Sequence, residues 1–167
     1  NIFSMNPTEL KLARREMQII FQDPFASLNP RVPIGESIME GLHIHKVGTR
    51  QERMDIMMET MKKVGLEDYH ARRYPHEFSG GQRQRIGIAR ALVTDPQIVF
   101  ADEPTGNLDS STSDEVMQVI INILREQKKT LVMVTHDTHI AEFGDKVIHL
   151  LDGRITDITF TEKESIK

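Results

Sequence analysis

Two adjacent acids, Asp102 and Glu103, directly follow the apolar run Gln97–Ala101. A carboxylate at the end of a buried strand offers the hard oxygen ligand that Mg²⁺ takes beside a nucleotide. The neighbouring acid points elsewhere and can polarise an attacking water. The pair therefore indicates phosphoryl chemistry, and two solvated acids at a strand end are the alternative interpretation.

A pair of glycines precedes a predicted helix in the segment Ser79–Gln82. Glycines let the backbone approach a phosphate closely, and the N-terminus of a helix supplies free N–H groups and positive potential. Ser79 adds a hydroxyl donor. The segment is therefore a candidate phosphate site, and an ordinary turn before a helix is the alternative.

Predicted strands bring these groups together with two more side chains. The apolar runs Met17–Phe21, Gln97–Ala101 and Thr130–Thr135 alternate with helical segments, which is the pattern of a parallel sheet with right-handed crossovers. Chemistry in such sheets collects at the carboxyl ends of the strands. Gln22 follows the first run and His136 follows the third. An amide, two acids and an imidazole are therefore expected to converge.

The rest of the sequence predicts two more helices and a hairpin. A methionine-rich stripe at helical spacing predicts a helix over 51–64 that ends at Gly65, and we favour a core-facing stripe over a partner groove. Thr112 and Glu115 have capping-box spacing and predict the start of another helix. Its apolar stripe comprises Val116, Val119, Ile120, Ile123 and Leu124. The strands Lys146–Leu151 and Arg154–Ile158 are predicted to turn at Asp152-Gly153.

Composition limits the classes of protein. Lys plus Arg number 21 and Asp plus Glu number 25, so the formal net charge is −4, and no nucleic-acid partner is expected. No apolar run is long enough to cross a bilayer. The absence of cysteine excludes disulfides, thiol catalysis and cysteine-ligated metals.

Five short motifs occur in an order that is typical of one family. They are FQDP at 21–24, FSGGQ at 78–82, IVFADEP at 98–104, NLDS at 107–110 and VTHD at 134–137. With these motifs the chain resembles the ATP-binding subunits of ABC transporters, in which they form the Q-loop, the signature motif, the Walker B strand, the D-loop and the switch histidine. Phe78 stands where the family usually has Leu. The resemblance extends to about residue 158.

The resemblance implies catalytic and metal-binding roles for the residues at the strand ends. Asp102 would bind Mg²⁺, directly or through water, and Glu103 would be the general base. His136 would contact the γ-phosphate of ATP. Gln22 would sense Mg²⁺ and the attacking water, and would couple them to the membrane subunit.

The resemblance also implies contacts with ATP across a dimer. Ser79, Gly80 and Gly81 would bind the γ-phosphate of ATP held by the opposite subunit, and Gln82 completes this set. Asp109 would help to build the dimer interface. The implied partners are transmembrane permease subunits and a second ABC cassette in a head-to-tail dimer, so the chain is expected at the cytoplasmic face of the inner membrane as a peripheral subunit.

The fold implied is α/β, with a parallel sheet of the P-loop NTPase type. Residues 1–24 and 79–160 would form a RecA-like ATPase core, incomplete at its N-terminus. Residues 25–78 would form a helical subdomain that contacts the membrane partner, and 161–167 would be a polar tail.

A phosphate-binding P-loop requires Gly-Lys followed by Ser or Thr. None of the 10 glycines is followed by Lys. The chain is therefore expected to be the C-terminal part of a longer subunit and to be inactive by itself. The first residue is Asn1, and no signal peptide is visible.

The subfamily signals differ between the two halves of the chain. FQDPFASLNPR at 21–31 resembles dipeptide, oligopeptide and nickel importers, whereas ADEPTGNLDS at 101–110 resembles lipoprotein-releasing and macrolide-exporter ATPases. We expect peptide import, because the importer-like half is the one that would face the membrane partner. The alternatives are an exporter-type ABC ATPase, a non-transport ABC protein, and a truncated cassette that acts only as a binding partner in trans.

Overall fold

The computed structural model describes residues 2–161, apart from the side chains of residues 25 and 26. Its helices are α1 (Pro7–Glu16), α2 (Pro24–Ser27), α3 (Ile34–Ile44), α4 (Arg50–Lys63), α5 (Gly80–Leu92), α6 (Ser110–Glu126) and α7 (Thr138–Ala141). Its strands are β1 (Met17–Ile20), β2 (Ile98–Asp102), β3 (Thr130–Val134), β4 (Lys146–Leu151) and β5 (Arg154–Phe160). Residues 162–167 of the predicted polar tail lie outside the described residues.

The strands β1, β2 and β3 form a parallel sheet in that order, which confirms the prediction from the alternation of apolar runs. Ile20 pairs with Ala101, and Ala101 pairs with Met133. The carboxyl ends of the three strands therefore lie level at one edge of the sheet, where parallel α/β sheets place their chemistry.

The sheet has one buried face and one exposed face. Ile20 and Ala101 are each 2% exposed, whereas Phe100 is 37% and Val132 is 45% exposed. The apolar run Thr130–Thr135 is typical of a buried strand, but within the described residues only one face of the sheet is covered. β3 instead alternates between exposed and half-buried residues.

Helix α6 begins earlier than the capping-box pattern predicted. Asp109 is its N-cap, and the carboxylate accepts hydrogen bonds from the Thr112 N–H at 3.0 Å and from the Thr112 hydroxyl at 2.7 Å. Thr112 is thus the third residue of the helix and not its cap. The predicted apolar stripe is confirmed except at one position, because Met117 is buried and Val119 is only half-buried.

A layer formed by α3 and α4 packs on α5. Met57 and Met61 on α4 are 3% and 0% exposed, whereas Met54 is 40% exposed. The methionine stripe therefore faces the core over the second half of the helix only. Gly65 follows α4 with a φ of +76°, a left-handed conformation that glycine adopts without steric cost.

Helix α1 was not predicted from the sequence. Its N-cap, Asn6, accepts hydrogen bonds from the Thr8 and Glu9 N–H groups, and the Glu9 carboxylate accepts from the Asn6 N–H in return. Pro7 at the first helical position is favourable because its missing N–H would be unpaired there. The helix buries no residue, so it carried little periodic signal.

The chain divides into two compact units, one up to Val134 and one from Thr135 onward. The second unit contains α7 and the antiparallel pair β4–β5. Asp152 and Gly153 connect these strands with φ values of +49° and +74°, as the Asp-Gly pair predicted. The predicted division into a core and a helical subdomain at 25–78 follows other boundaries and stays a prediction.

Among the described residues, none of the helices has the length and apolar composition that a bilayer crossing demands.

The α6 cap gives a prediction for stability against pH. The hydrogen bonds from the Thr112 side chain and backbone lower the pKa of Asp109 in the folded chain. The stabilisation is therefore fully present above the unfolded-state pKa and is lost as the pH falls through the lowered pKa. Asp109→Ala should reduce the free energy of unfolding at neutral pH, with little further loss in acid, whereas Asp109→Asn retains an acceptor for the cap. Urea denaturation across the acid range measures this, and a parental profile for Asp109→Ala would contradict it.

Candidate functional site

The two acids at the end of β2 start a tight connection to α6. Glu103 has a φ of +45°, which is unusual for a residue other than glycine and costs on the order of 1 kcal/mol. Its N–H donates to the Val134 carbonyl at 2.9 Å, and its carbonyl accepts from the Gly106 N–H at 3.0 Å. These bonds hold the turn at the carboxyl edge of the sheet, with Asp102 exposed and Glu103 half-buried.

Gln22 lies beside this connection. The Asn107 side-chain amide donates to the Gln22 carbonyl at 3.3 Å. A Cβ atom at Gly106 would lie 2.8 Å from Nε2 of Gln22, so glycine is required for this close approach. The structure thus brings together the amide after β1 and the connection that follows the acids, as the strand-end argument predicted.

The signature segment begins helix α5 with a reciprocal cap. The Gln82 N–H donates to Ser79 Oγ at 3.3 Å, and the Ser79 N–H donates to Oε1 of Gln82 at 3.1 Å. These bonds use the backbone N–H groups of both residues, while the Ser79 hydroxyl hydrogen remains available as a donor. Gly80 and Gly81 occupy the first two helical positions, whose N–H groups have no partner within a helix. Their N–H groups are therefore the donors that an anion at this helix terminus would meet.

The N-termini of α5 and α6 pack directly against each other. A Cβ atom at Gly81 would lie 2.6 Å from the Thr112 methyl group, and one at Gly80 would lie 3.4 Å from Cδ2 of Leu108. The Thr112 hydroxyl is held by Asp109, so this methyl group cannot rotate away without breaking that bond. Asp109 therefore fixes the side chain that Gly81 approaches.

One residue of this site was missed by the sequence analysis. Gln84 is 2% exposed, and its side-chain amide donates to the Phe21 carbonyl at 3.1 Å. This bond joins α5 to the residue preceding Gln22. A glutamine on the apolar face of a predicted helix was the available signal, because a buried amide requires a partner.

Three arginines of α5 form hydrogen bonds with main-chain carbonyls of this chain. Arg83 donates to Phe78 at 2.7 Å, Arg85 donates to Val64 at 3.0 Å, and Arg90 donates to Ser27. Burial lowers the pKa of Arg90, and Glu40 partly opposes that effect. These side chains therefore join α5 to the segments around it.

His136 belongs to the second unit. It lies between Thr135, whose hydroxyl accepts from the Asp137 N–H at 3.1 Å, and Asp137 itself, which is the N-cap of α7. The backbone at His136 is thus held by a local turn. Its contact with a γ-phosphate stays a prediction.

The oxygen donors at the sheet edge suit one kind of metal site. No group of three or more His, Asp or Glu side chains among residues 2–161 could enclose a metal ion. Mg²⁺ in nucleotide sites is usually held by one or two carboxylates together with phosphate oxygens and water. The Asp102 carboxylate and the Gln22 amide oxygen therefore fit a Mg²⁺ ion that a nucleotide helps to hold.

The parallel sheet, the capped signature helix and the connection after the acids define an α/β fold of the P-loop NTPase type. The family model described as ABC transporter matches residues 2–106. This chain belongs to the ABC transporter family.

Relatives and solved structures agree with this family. Over 146 residues the chain is 46% identical to the oligopeptide transport ATP-binding protein OppF of Bacillus subtilis, covering 86% of this chain and 48% of that protein. Over 155 residues it is 40% identical to the dipeptide transport ATP-binding protein DppF of Escherichia coli, covering 92% and 46%. The post-hydrolysis dimer of the ATP-binding cassette MJ0796, bound to ADP and Pi, has a TM-score of 0.79 at 35% identity and covers 96% of this chain and 70% of that one. The chain thus spans about half the length of these curated relatives.

The contact between α5 and α6 predicts different changes in the free energy of unfolding when each signature glycine is replaced by alanine. Gly81→Ala should lower the free energy of unfolding by about 1–3 kcal/mol, because the added methyl group clashes with the fixed Thr112 side chain. Gly80→Ala should be close to neutral, since 3.4 Å is ordinary contact and alanine favours the helix. Urea denaturation measures both changes.

A second substitution tests the cause of the Gly81 effect. Thr112→Ser removes the methyl group and keeps the hydroxyl that bonds Asp109. Gly81→Ala made in this background should no longer destabilise the chain. An equal loss in both backgrounds would show that the clash is elsewhere.

Proposed function

We propose that this chain forms part of the ATP-binding subunit of an ABC transporter that imports peptides and is driven by ATP hydrolysis. The observation that carries the proposal is the capped N-terminus of α5, whose Gly80 and Gly81 N–H groups lie against the Asp109–Thr112 cap of α6. This geometry suits recognition of a terminal phosphate. Peptide as the cargo rests on OppF and DppF, whose names state oligopeptide and dipeptide transport.

The residues at the sheet edge have different roles in ATP hydrolysis. Glu103 accepts a proton from the attacking water, since it lies on the connection that the Val134 carbonyl fixes. Asp102 and Gln22 would hold Mg²⁺, which would supply positive charge to neutralise the phosphate oxygens. Gln22 is linked to the connection that carries Glu103, because the Asn107 amide donates to its carbonyl and its side chain lies against Gly106. His136 contacts the γ-phosphate.

The signature residues act on ATP held by a second cassette. Ser79 donates its hydroxyl hydrogen, and Gly80 and Gly81 donate their N–H groups, to the γ-phosphate, with Gln82 maintaining the cap. The two cassettes are arranged head to tail, with Asp109 at their interface. The dimeric state of MJ0796 supports this arrangement. Because this chain contains no Gly-Lys pair, ATP bound in cis requires a phosphate loop that the present residues do not provide.

A groove in the helical layer is the proposed contact with the permease. It has a volume of about 880 Å³ and is lined by acidic residues of α3, basic residues of α4 and α5, and methionines. Glu36 and Glu40 lie on the α3 side, and Arg50 and Arg53 lie on the α4 side. Methionine adapts to different partner surfaces. Because the rest of the lining is charged, the groove suits a short polar segment of a membrane subunit. This contact would hold the subunit at the cytoplasmic face of the inner membrane.

A second candidate function is binding in trans alone. It is favoured by the same sequence fact, that none of the 10 glycines is followed by Lys. The chain would then present its signature face to an intact cassette and hydrolyse nothing by itself.

The roles of the two acids can be separated in a completed cassette, in which a segment with a Gly-Lys-Ser/Thr phosphate loop is joined before this chain. Glu103→Gln should reduce ATP turnover by at least about 100-fold, because it removes the base, while MgATP affinity stays near the parental value. Asp102→Asn should instead raise the Mg²⁺ concentration needed for binding. Glu126→Gln, at the last residue of α6, is the matched control. Parental turnover in Glu103→Gln would remove Glu103 from the role of base.

A further inference from the structure

The first residue of the signature motif, Phe78, makes an aromatic contact with a residue outside the five motifs. His70 lies in the 3-10 turn Asp68–Arg72, and its ring meets the Phe78 ring edge-on, with 5.3 Å between centroids. Both side chains are buried, with 6% and 5% exposure. Phe78 directly precedes Ser79, the N-cap of α5. A buried histidine therefore touches the residue from which the signature segment starts.

His70 is itself fixed by its surroundings. Its Nδ1 atom accepts a hydrogen bond from the Glu67 N–H at 2.9 Å. The turn that carries it is joined to α3, because the Ile34 N–H donates to the Arg73 carbonyl at 2.9 Å and a Cβ atom at Gly35 would lie 2.9 Å from the Ala71 carbonyl. The imidazole ring thus has one orientation relative to α3.

Phe78 connects His70 to Ser79 and to the glycine N–H groups that are proposed to bind phosphate. Its carbonyl accepts from Arg83 Nη1 at 2.7 Å, so the residue is held by a ring contact on one side and by a hydrogen bond to α5 on the other. The next residue, Ser79, donates its N–H to Gln82 and accepts from the Gln82 N–H in the capping box. A shift of Phe78 would therefore move the cap and the glycine N–H groups together.

We propose that His70 is a positioning residue for the signature segment, which acts by fixing the Phe78 ring. The proposal rests on the function proposed above and adds a residue outside the five motifs. Since α3 also lines the permease groove, the same contact joins that groove to the signature segment. His70 touches no nucleotide in this account.

Two substitutions separate the two interactions of the histidine. His70→Phe keeps an aromatic ring against Phe78 and loses the acceptor for the Glu67 N–H. His70→Asn keeps an acceptor near the position of Nδ1 and loses the ring. His76→Asn is the matched control, because that histidine is exposed and its ring stacks on Tyr74 instead.

The first measurement is ATP turnover of the completed cassette defined above. His70→Asn should lower kcat by about three- to tenfold, the factor that an aromatic pair supports, while the dissociation constant for MgATP stays within about twofold. His70→Phe should retain most of the parental kcat, and His76→Asn should be parental. A kcat that is unchanged in His70→Asn, or lowered equally in both His70 variants, would overturn the proposal.

The second measurement uses this chain alone and does not depend on hydrolysis. Amide hydrogen exchange at residues 79–82 should accelerate in His70→Asn and not in His70→Phe, with exchange in the sheet unchanged. Phe78→Leu removes the other ring of the contact and should also accelerate exchange at residues 79–82. Its effect should not add to that of His70→Asn, because both substitutions remove the same interaction. Additive effects would overturn the proposal. A completed cassette without ATP turnover in its parental form would contradict the proposed function, whereas the exchange result would decide separately whether His70 holds the segment.

Discussion

The site depends on the close packing of two helix N-termini. Gly81 at the start of α5 leaves no room for a Cβ atom beside the Thr112 methyl group, and Asp109 prevents that methyl group from moving. One capping interaction therefore serves two helices, because it begins α6 and sets the distance at which α5 packs. The free N–H groups of Gly80 and Gly81 are presented in a fixed direction as a result, which is what recognition of a phosphate requires.

The parallel sheet positions the remaining residues of the site. Its register brings Gln22 and the acid pair to the same edge, and the Glu103 backbone adopts a left-handed conformation there. The cost of that conformation is offset by hydrogen bonds to the Val134 carbonyl and from the Gly106 N–H. The buried Gln84 side chain donates to the Phe21 carbonyl, which joins the signature helix to the strand end before Gln22.

Sequence patterns predicted the parts of this fold whose cause is local. The apolar runs predicted the parallel sheet. A helix was also predicted after Ser79-Gly80-Gly81, and the structure confirms it, with a capping box between Ser79 and Gln82. Sequence patterns did not predict the features that depend on contacts between residues distant in the sequence. The left-handed Glu103 donates to a carbonyl of β3, a bond that no local pattern reveals. Gln84 binds a carbonyl 63 residues away. The start of α6 was misplaced for a local reason, because Asp109 caps this helix by bonding Thr112, the residue predicted to be the cap.

The N-terminus of α5 is proposed to recognise a phosphate held by a second cassette. The most direct measurement is ATP-dependent co-elution of this chain with an intact cassette of the same transporter whose hydrolysis is blocked. We expect co-elution with ATP and none without it. Gly81→Asp should abolish it, because its Cβ atom would displace the Thr112 side chain and its carboxylate would repel the anion. Co-elution that is equal without ATP, or unchanged by Gly81→Asp, would contradict the account.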